Sequence, residues 1–284
     1  MVWLFLLVVA LFGIYMLAIV VLALVARRPP RIPTWISPAS LGVPTESVRF
    51  GNLHAWWCPH PTPRGAALMV HGYAMNRSEF VPEAAVLWNM GLSVLLLETR
   101  SHGRSKGGPG GFGWIERDDV AEGAHWLRAR APGVPLIIVG SSQGAAATAF
   151  AVGQEPTLAD ALVLDGAYGR MDRAVRGFLD FLFTRRYGRV FAPGVPLTGL
   201  FLGFNPRGKD VAAALAAMGP KPVLIFHGDR DLIALPSEAR RNVAALTGPT
   251  TVVWQPEMGH AEGRWERAEE YHAALRKFVD EVAP

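Results

Sequence analysis

Gly140-Ser141-Ser142-Gln143-Gly144 sets a serine between two glycines, with Leu136-Ile137-Ile138-Val139 before it and Ala145-Ala146-Ala147 after it. That pattern predicts a strand, a sharp turn and a helix. A serine on such a turn takes strained backbone angles, and only residues without a Cβ at 140 and 144 let strand and helix approach. The helix N-terminus supplies a backbone N–H and positive potential where an oxyanion would develop. A serine hydroxyl is a weak nucleophile, so it needs an imidazole to take its proton and a carboxylate to orient that imidazole. His260, in Met258-Gly259-His260-Ala261, is the candidate base. Asp231, in His227-Gly228-Asp229-Arg230-Asp231, is the candidate acid, with Asp229 as the alternative. Asp231 is favoured because it lies farther past its strand, from where it must reach the histidine loop. Of the other histidines, His272 falls mid-helix beside Tyr271, His71 and His227 end strands next to glycine, and His102 precedes the serine. Ser142, Asp231 and His260 together are a set for acyl transfer through a covalent acyl-enzyme.

Alternating elements must position these groups. Ser47–Phe50 and His54–Pro59 read as a hairpin. Ala66–His71, Ser93–Glu98, Leu136–Gly140, Ala161–Asp165, Val223–His227 and Thr251–Trp254 are mostly continuous apolar runs, as in parallel strands buried on both faces. Helical patterns fill 78–90, 116–131, 143–154, 209–218, 236–247 and 267–282. The alternation predicts an α/β fold with a doubly wound sheet and helices on both faces. Residues 170–220 break the rhythm, being longer than a crossover helix needs, and hold six of the chain's fourteen Phe.

From about Glu46 onward the chain resembles a serine hydrolase of the α/β-hydrolase superfamily, in its esterase/lipase-like branch. The resemblance implies an eight-stranded, mostly parallel sheet. His71-Gly72-Tyr73 resembles that family's H-G-x turn, which implies the Tyr73 and Gln143 backbone N–H groups as oxyanion donors. Arg100-Ser101-His102-Gly103-Arg104-Ser105 resembles its R-G-H-G-x-S turn, with Ser101 in place of glycine and Glu98 where Asp is frequent. His227 to Asp231 matches H-G-x-x-D, whose last residue is the acid, although Asp165 occupies a position that some members use instead. The insert then implies a lid or acyl-pocket wall, with Phe178, Phe181 and Phe201 against the substrate. Packing on the sheet edge is the competing account of these phenylalanines. A serine nucleophile argues against dehalogenase and epoxide-hydrolase chemistry, which in this superfamily uses Asp. Carboxylic ester hydrolysis is expected, with amide, peptide or thioester cleavage, or a non-catalytic tethered binding protein, as alternatives.

Val2–Ala26 contains no charged residue, and at 1.5 Å per residue a helix of that length crosses a hydrocarbon core of roughly 30 Å. A cleaved signal peptide is the rival reading. Against it stand the absence of a basic n-region, a run longer than the usual 7–15 or so residues, and a poor cleavage site at Leu24-Val25-Ala26. Arg27, Arg28 and Arg31 follow the span and no basic residue precedes it, so the body is expected on the cytoplasmic side. The expected organisation is an anchor over 1–28 that contacts the lipid bilayer through residues 2–26, a Pro-rich extended linker over 29–45, and a catalytic domain over 46–284.

Several classes are disfavoured. Cys58 is the single cysteine, so no internal disulfide or multi-cysteine zinc site underlies the fold. The net charge of +4 comes from scattered Lys and Arg, which argues against nucleic acid. Gly108-Pro109-Gly110-Gly111-Phe112-Gly113 matches a dinucleotide signature outside its strand–helix context, and Asp210 would repel phosphate at the end of the loop-like run 203–210. No nucleotide, metal or other cofactor is expected.

Overall fold

The computed structural model describes residues 1–191 and 203–284, and of residues 184–187 and 189 the backbone only. Its strands are β1 (Glu46–Phe50), β2 (Leu53–Cys58), β3 (Gly65–Val70), β4 (Leu92–Glu98), β5 (Leu136–Ser141), β6 (Ala161–Asp165), β7 (Val223–Gly228) and β8 (Thr250–Gln255). They form one sheet in the order β1-β2-β4-β3-β5-β6-β7-β8. The hairpin β1–β2 joins β4 antiparallel, and every other pairing is parallel. β3 to β7 are buried along their whole length. The reason is that successive side chains point to opposite faces and both faces are covered. Leu68, Val70, Ile138 and Ile225 pack with α3 (Arg117–Arg130), α4 (Gln143–Gln154) and the later helix α6 (Val211–Ala217). The alternate residues Ala67, Met69, Val139 and Phe226 pack with α2 (Val81–Asn89) and α9 (Ala268–Val282). The shorter helices α7 (Pro236–Ala244) and α8 (Gly263–Glu266) flank β8 in sequence.

This is an α/β-hydrolase fold, and its topology locates a crevice. From β3 the chain moves one way to β4 and then back across to β5, so the loops after β3 and β5 diverge at the C-terminal edge of the sheet. Such a switch point is where open α/β sheets bind ligands. Ser142 follows β5 there, and Tyr73 follows β3.

Within the insert, α5 (Met171–Phe191) is one 21-residue helix. Phe181, Leu182 and Phe183 are consecutive and exposed, which blurs the 3.6-residue periodicity and hides the helix from pattern reading. Phe201 lies outside the described residues.

The first helix, α1 (Val2–Ala26), is apolar all round, and only Ile19 and Ala23 are buried. Residues 29–37 carry no helix, as their prolines require, but Pro38–Leu41 form a short 3₁₀ helix where an extended linker was expected, because proline is tolerated in a first helical turn, and the whole stretch lies on the body. Asn76 Nδ2 donates to the carbonyls of Ile32 and Pro33 at 3.0 and 3.1 Å. Ser78 accepts from Trp35 N–H and donates to Ile36 O, and Val43 is buried. Proline lacks N–H but keeps its carbonyl, so side-chain donors on the body can hold such a segment where a strand pairing could not.

Candidate active site

β5 ends in Ser141, and Ser142 turns the chain into α4 with φ 50° and ψ −112°. A non-glycine residue in the left-handed region is strained, and the neighbouring glycines explain how the turn is tolerated. A Cβ on Gly144 would lie 2.2 Å from Val70 O, and one on Gly140 would lie 2.6 Å from Gly144 O. Ser142 N–H donates to Asp165 O at 2.7 Å, which ties the turn to β6.

The Ser142 hydroxyl is 2.6 Å from His260 Nε2, and His260 Nδ1 is 2.7 Å from Asp231 Oδ2. Asp231 is buried, and its other oxygen accepts from the N–H groups of Ile233 and Ala234, each at 2.8 Å. A carboxylate so placed accepts the Nδ1 proton and leaves Nε2 with the lone pair that faces Ser142. His227 bonds Ala234 O at 2.7 Å and braces the same loop, and burial lowers its pKa and keeps it neutral. Asp229 instead accepts from Glu257 N–H at 2.7 Å, on the exposed side. Asp165 points beneath the serine, buried, with Arg264 Nε at 3.5 Å and no hydrogen-bond partner for its carboxylate among the described residues. Burial pushes its pKa up to about 6. His272 contacts Glu83 at 3.3 Å, away from the serine.

The turn after β3 comes up beside Ser142: a Cβ on Gly72 would be 3.5 Å from Ser142 Cβ. Gly72 N–H donates to Glu79 Oε2 at 2.6 Å, and Glu79 Oε1 pairs with buried Arg264 at 2.8 Å. Arg264 also donates to Ser141 Oγ, so one guanidinium links both walls of the crevice. The His71 ring bonds Gly72 O and accepts from Thr99 N–H. His102 Nε2 accepts from Ala74 N–H while its Nδ1 bonds Arg100 O. Both histidines are held neutral: burial drives His71 down to about 4, and burial with His71 nearby drives His102 to about 3. Glu98 accepts from Arg104 N–H at 2.8 Å and pairs with Arg77 at 3.2 Å, so the longer side chain still closes this turn. Ser101, at φ 64°, donates to Gly108 O at 2.5 Å.

Ser142, Gln143 and His260 line a cavity of about 520 Å³. That volume lies within the usual range of small-molecule sites, about 300–1,000 Å³. Its walls are mainly apolar. Phe178 and Phe181 both line it, Phe178 edge-on to the Tyr73 ring at 5.4 Å and Phe181 at the rim, 63% exposed. The glycine-rich loop 108–113 is folded around Glu116, which accepts from Gly111 and Gly113 N–H, and it delivers Phe112 against Tyr73. Asp210 caps α6 through Ala212 N–H and pairs with Arg241, leaving no phosphate cradle at that loop.

The profile of the family described as Serine aminopeptidase, S33 matches residues 61–199. Monoacylglycerol lipase of Mycolicibacterium smegmatis is 30% identical over 211 residues, 69% of this chain and 71% of the relative. The uncharacterized protein Rv2307c of Mycobacterium tuberculosis is 30% identical over 253 residues, 87% of this chain and 82% of the relative. The chain belongs to the α/β-hydrolase superfamily of serine hydrolases. The esterase Pf2001 of Pyrococcus furiosus superposes on this hydrolase with a TM-score of 0.74, covering 90% of this chain and 98% of that one at 22% identity, which bears on the fold. The hydrolase is an esterase/lipase-like enzyme. Reading the sequence missed Glu79 and Arg264, because a charged residue on a short helix looks solvated until tertiary packing buries it. It also missed the bond from Tyr73 Oη to Ala26 O, 2.9 Å, which no local pattern announces.

Proposed function

We propose that this hydrolase cleaves carboxylic esters with apolar acyl chains while anchored at a membrane, through an acyl-enzyme on Ser142. The observation that carries the reading is the Ser142–His260–Asp231 relay opening into an apolar cavity. His260 Nε2 takes the Ser142 proton as Oγ attacks the carbonyl carbon, and Asp231 stabilises the imidazolium. Gln143 N–H, at the start of α4 where the helix offers no acceptor, and Tyr73 N–H, on the facing turn, receive the negative oxygen. His260 then protonates the departing alkoxide, and water repeats the cycle to release the acid.

A relative named for monoacylglycerol and the apolar lining both favour an acyl ester. An aminopeptidase would need a carboxylate for the substrate's ammonium group. Among the described residues the one carboxylate on the lining is Glu262, and Gly259 N–H engages it at 2.7 Å. In this reading residues 1–28 are the anchor, 29–45 the strap that leads to the body, and 46–284 the catalytic domain with its insert over 170–220. The body faces the cytoplasm, on the strength of Arg27, Arg28 and Arg31.

The test uses the full chain in detergent, a fluorophosphonate probe and p-nitrophenyl esters of graded length. Labelling that Ser142→Ala abolishes, a fall of roughly 10⁴ in kcat in that variant, and faster turnover of octanoate than acetate are expected. Hydrolysis retained by Ser142→Ala refutes the assignment.

A further inference from the structure

Four residues of α1 line the cavity that Ser142 opens into: Ile19, Leu22, Ala23 and Ala26. Their spacing places them on one helical face. Ile19 and Ala23, the two buried residues of α1, are 3% and 6% exposed, whereas Val21 and Val25 on other faces are 49% and 61% exposed. Hydrogen bonds hold the helix against the body. Tyr15 Oη donates to Val190 O of α5 at 2.7 Å, and Tyr73 Oη donates to Ala26 O at 2.9 Å. Ala26 is the last residue of α1, so its carbonyl has no helical donor and the oxyanion turn caps it. Directly after it, Arg27 exchanges bonds with Gly110: Arg27 Nε donates to Gly110 O at 3.1 Å and Gly110 N–H to Arg27 O at 2.7 Å.

We infer that the last two turns of α1 are a structural wall of the acyl site, and that the substrates are acyl lipids whose chain enters alongside α1 from the bilayer. The inference rests on the ester-hydrolase reading above and narrows it. Charged Arg27 and Arg28 hold the end of α1 at headgroup level. Ile19 lies seven residues before Ala26, about 10 Å further along the axis at 1.5 Å per residue. The cavity therefore begins where a membrane lipid carries its ester and descends beside the upper part of its acyl chain. The rim agrees in character: Met75, Phe181, Leu182 and Leu232 line the cavity and are 40–68% exposed. Apolar side chains around a mouth mark a surface that meets lipid rather than water. A water-borne substrate would have no use for a wall built from an anchor, whereas a lipid meets that wall without leaving hydrocarbon.

The experiment measures kcat/KM for p-nitrophenyl acetate, octanoate and dodecanoate with the full chain in detergent, for wild type and three α1 variants. Ala23→Trp fills the wall. If it removes space for two methylenes, each worth about fourfold, octanoate should lose about fifteen-fold more than acetate. Ile19→Ala has the opposite sign and should move the optimum towards dodecanoate. Val21→Trp, on an exposed face, should leave the chain-length profile as in wild type. An unchanged octanoate-to-acetate ratio in both Ala23→Trp and Ile19→Ala overturns the inference, as does an equal loss on every ester. Those outcomes leave the hydrolase reading standing, because wild type still hydrolyses esters and is labelled at Ser142. Absence of labelling and turnover in wild type is the distinct failure of that reading.

Discussion

Replacing Asp231 by Asn changes one atom and tests the orientation of the relay. Asp231 Oδ1 is fixed by two backbone donors, Ile233 N–H and Ala234 N–H, and Oδ2 faces His260 Nδ1. An asparagine must turn its carbonyl oxygen to those two donors, since turning its NH₂ there would leave two buried N–H groups facing a donor, at about 1–3 kcal/mol each. Its Nδ2 therefore faces His260, and the imidazole answers by accepting at Nδ1 and carrying its proton on Nε2. That tautomer presents N–H to Ser142 and cannot take the hydroxyl proton. Loss of the base and of the negative charge beside the imidazolium should lower kcat about 10⁴-fold, or about 5.5 kcal/mol of barrier. KM should change little, because Asp231 lies behind the histidine and away from the cavity lining. Asp229→Asn keeps an acceptor for Glu257 N–H and touches nothing in the relay, so it should stay within about tenfold of wild type. The assay is steady-state hydrolysis of p-nitrophenyl octanoate at pH 7.5, with melting curves to confirm folding. Asp231→Asn within tenfold of wild type, or a larger loss in Asp229→Asn, refutes the argument and moves the acid to Asp229.

Three further outcomes follow from the buried titratable groups around the crevice. Arg264→Met leaves Glu79 and Asp165 without their cation and should cost about 3–5 kcal/mol by chemical denaturation, with Glu79→Gln added to it costing less than the sum of the singles; additive losses would show that the pair is not coupled. Stability should also fall on acidification from pH 6.5 to 4: His71 and His102, at about 4 and 3 when folded against 6.5 as free groups, contribute fully above pH 6.5 and lose that contribution as pH drops. Asp165 acts in the opposite sense, since its pKa is raised from 3.8 to about 6 and its cost at neutral pH is relieved below 6, so Asp165→Asn should steepen the fall in Tm; a Tm of Asp165→Asn that is flat or rises over this range contradicts the histidine assignments, and a fall no steeper than that of wild type contradicts the assignment of Asp165.

The strands of the sheet were readable because parallel strands buried on both faces are continuous apolar runs, and β3 to β7 match the expected segments to within a residue or two at each end. The elbow was readable for a different reason: close approach excludes Cβ at two positions, so glycine must appear at 140 and 144. Candidate residues on the loops after β5, β7 and β8 could be singled out because the fold carries those three loops to the same edge, and the structure brings Ser142, Asp231 and His260 together there. What pattern could not carry was anything decided between distant segments. The prolines of 29–45 announce extension but are silent on Asn76 and Ser78, whose side chains hold it. A uniformly apolar α1 shows no preferred face, since the residues on its exposed side and those that line the cavity are of the same types. Arg264 and Glu79 have no signature beyond their charge, and only the packing of α8 against the β3 turn turns that charge into a link across the crevice.

The docked segment after α1 also sets how far the enzyme can reach. Residues 29–45, fully extended and free, would span roughly 56–61 Å, enough for a body to sample a deep layer of solvent above a bilayer. Arg27 bonded to Gly110 and Arg31 bonded to Gly103 remove that slack within the first few residues. With α1 in a membrane, Ser142 is then held at a fixed height and cannot swing out to meet micelles or droplets beyond its own leaflet. Encounter becomes a search in two dimensions, by lateral diffusion of enzyme and substrate in the same sheet of lipid. Turnover should accordingly follow the mole fraction of substrate in that membrane, and be indifferent to how much of it is suspended in the surrounding water.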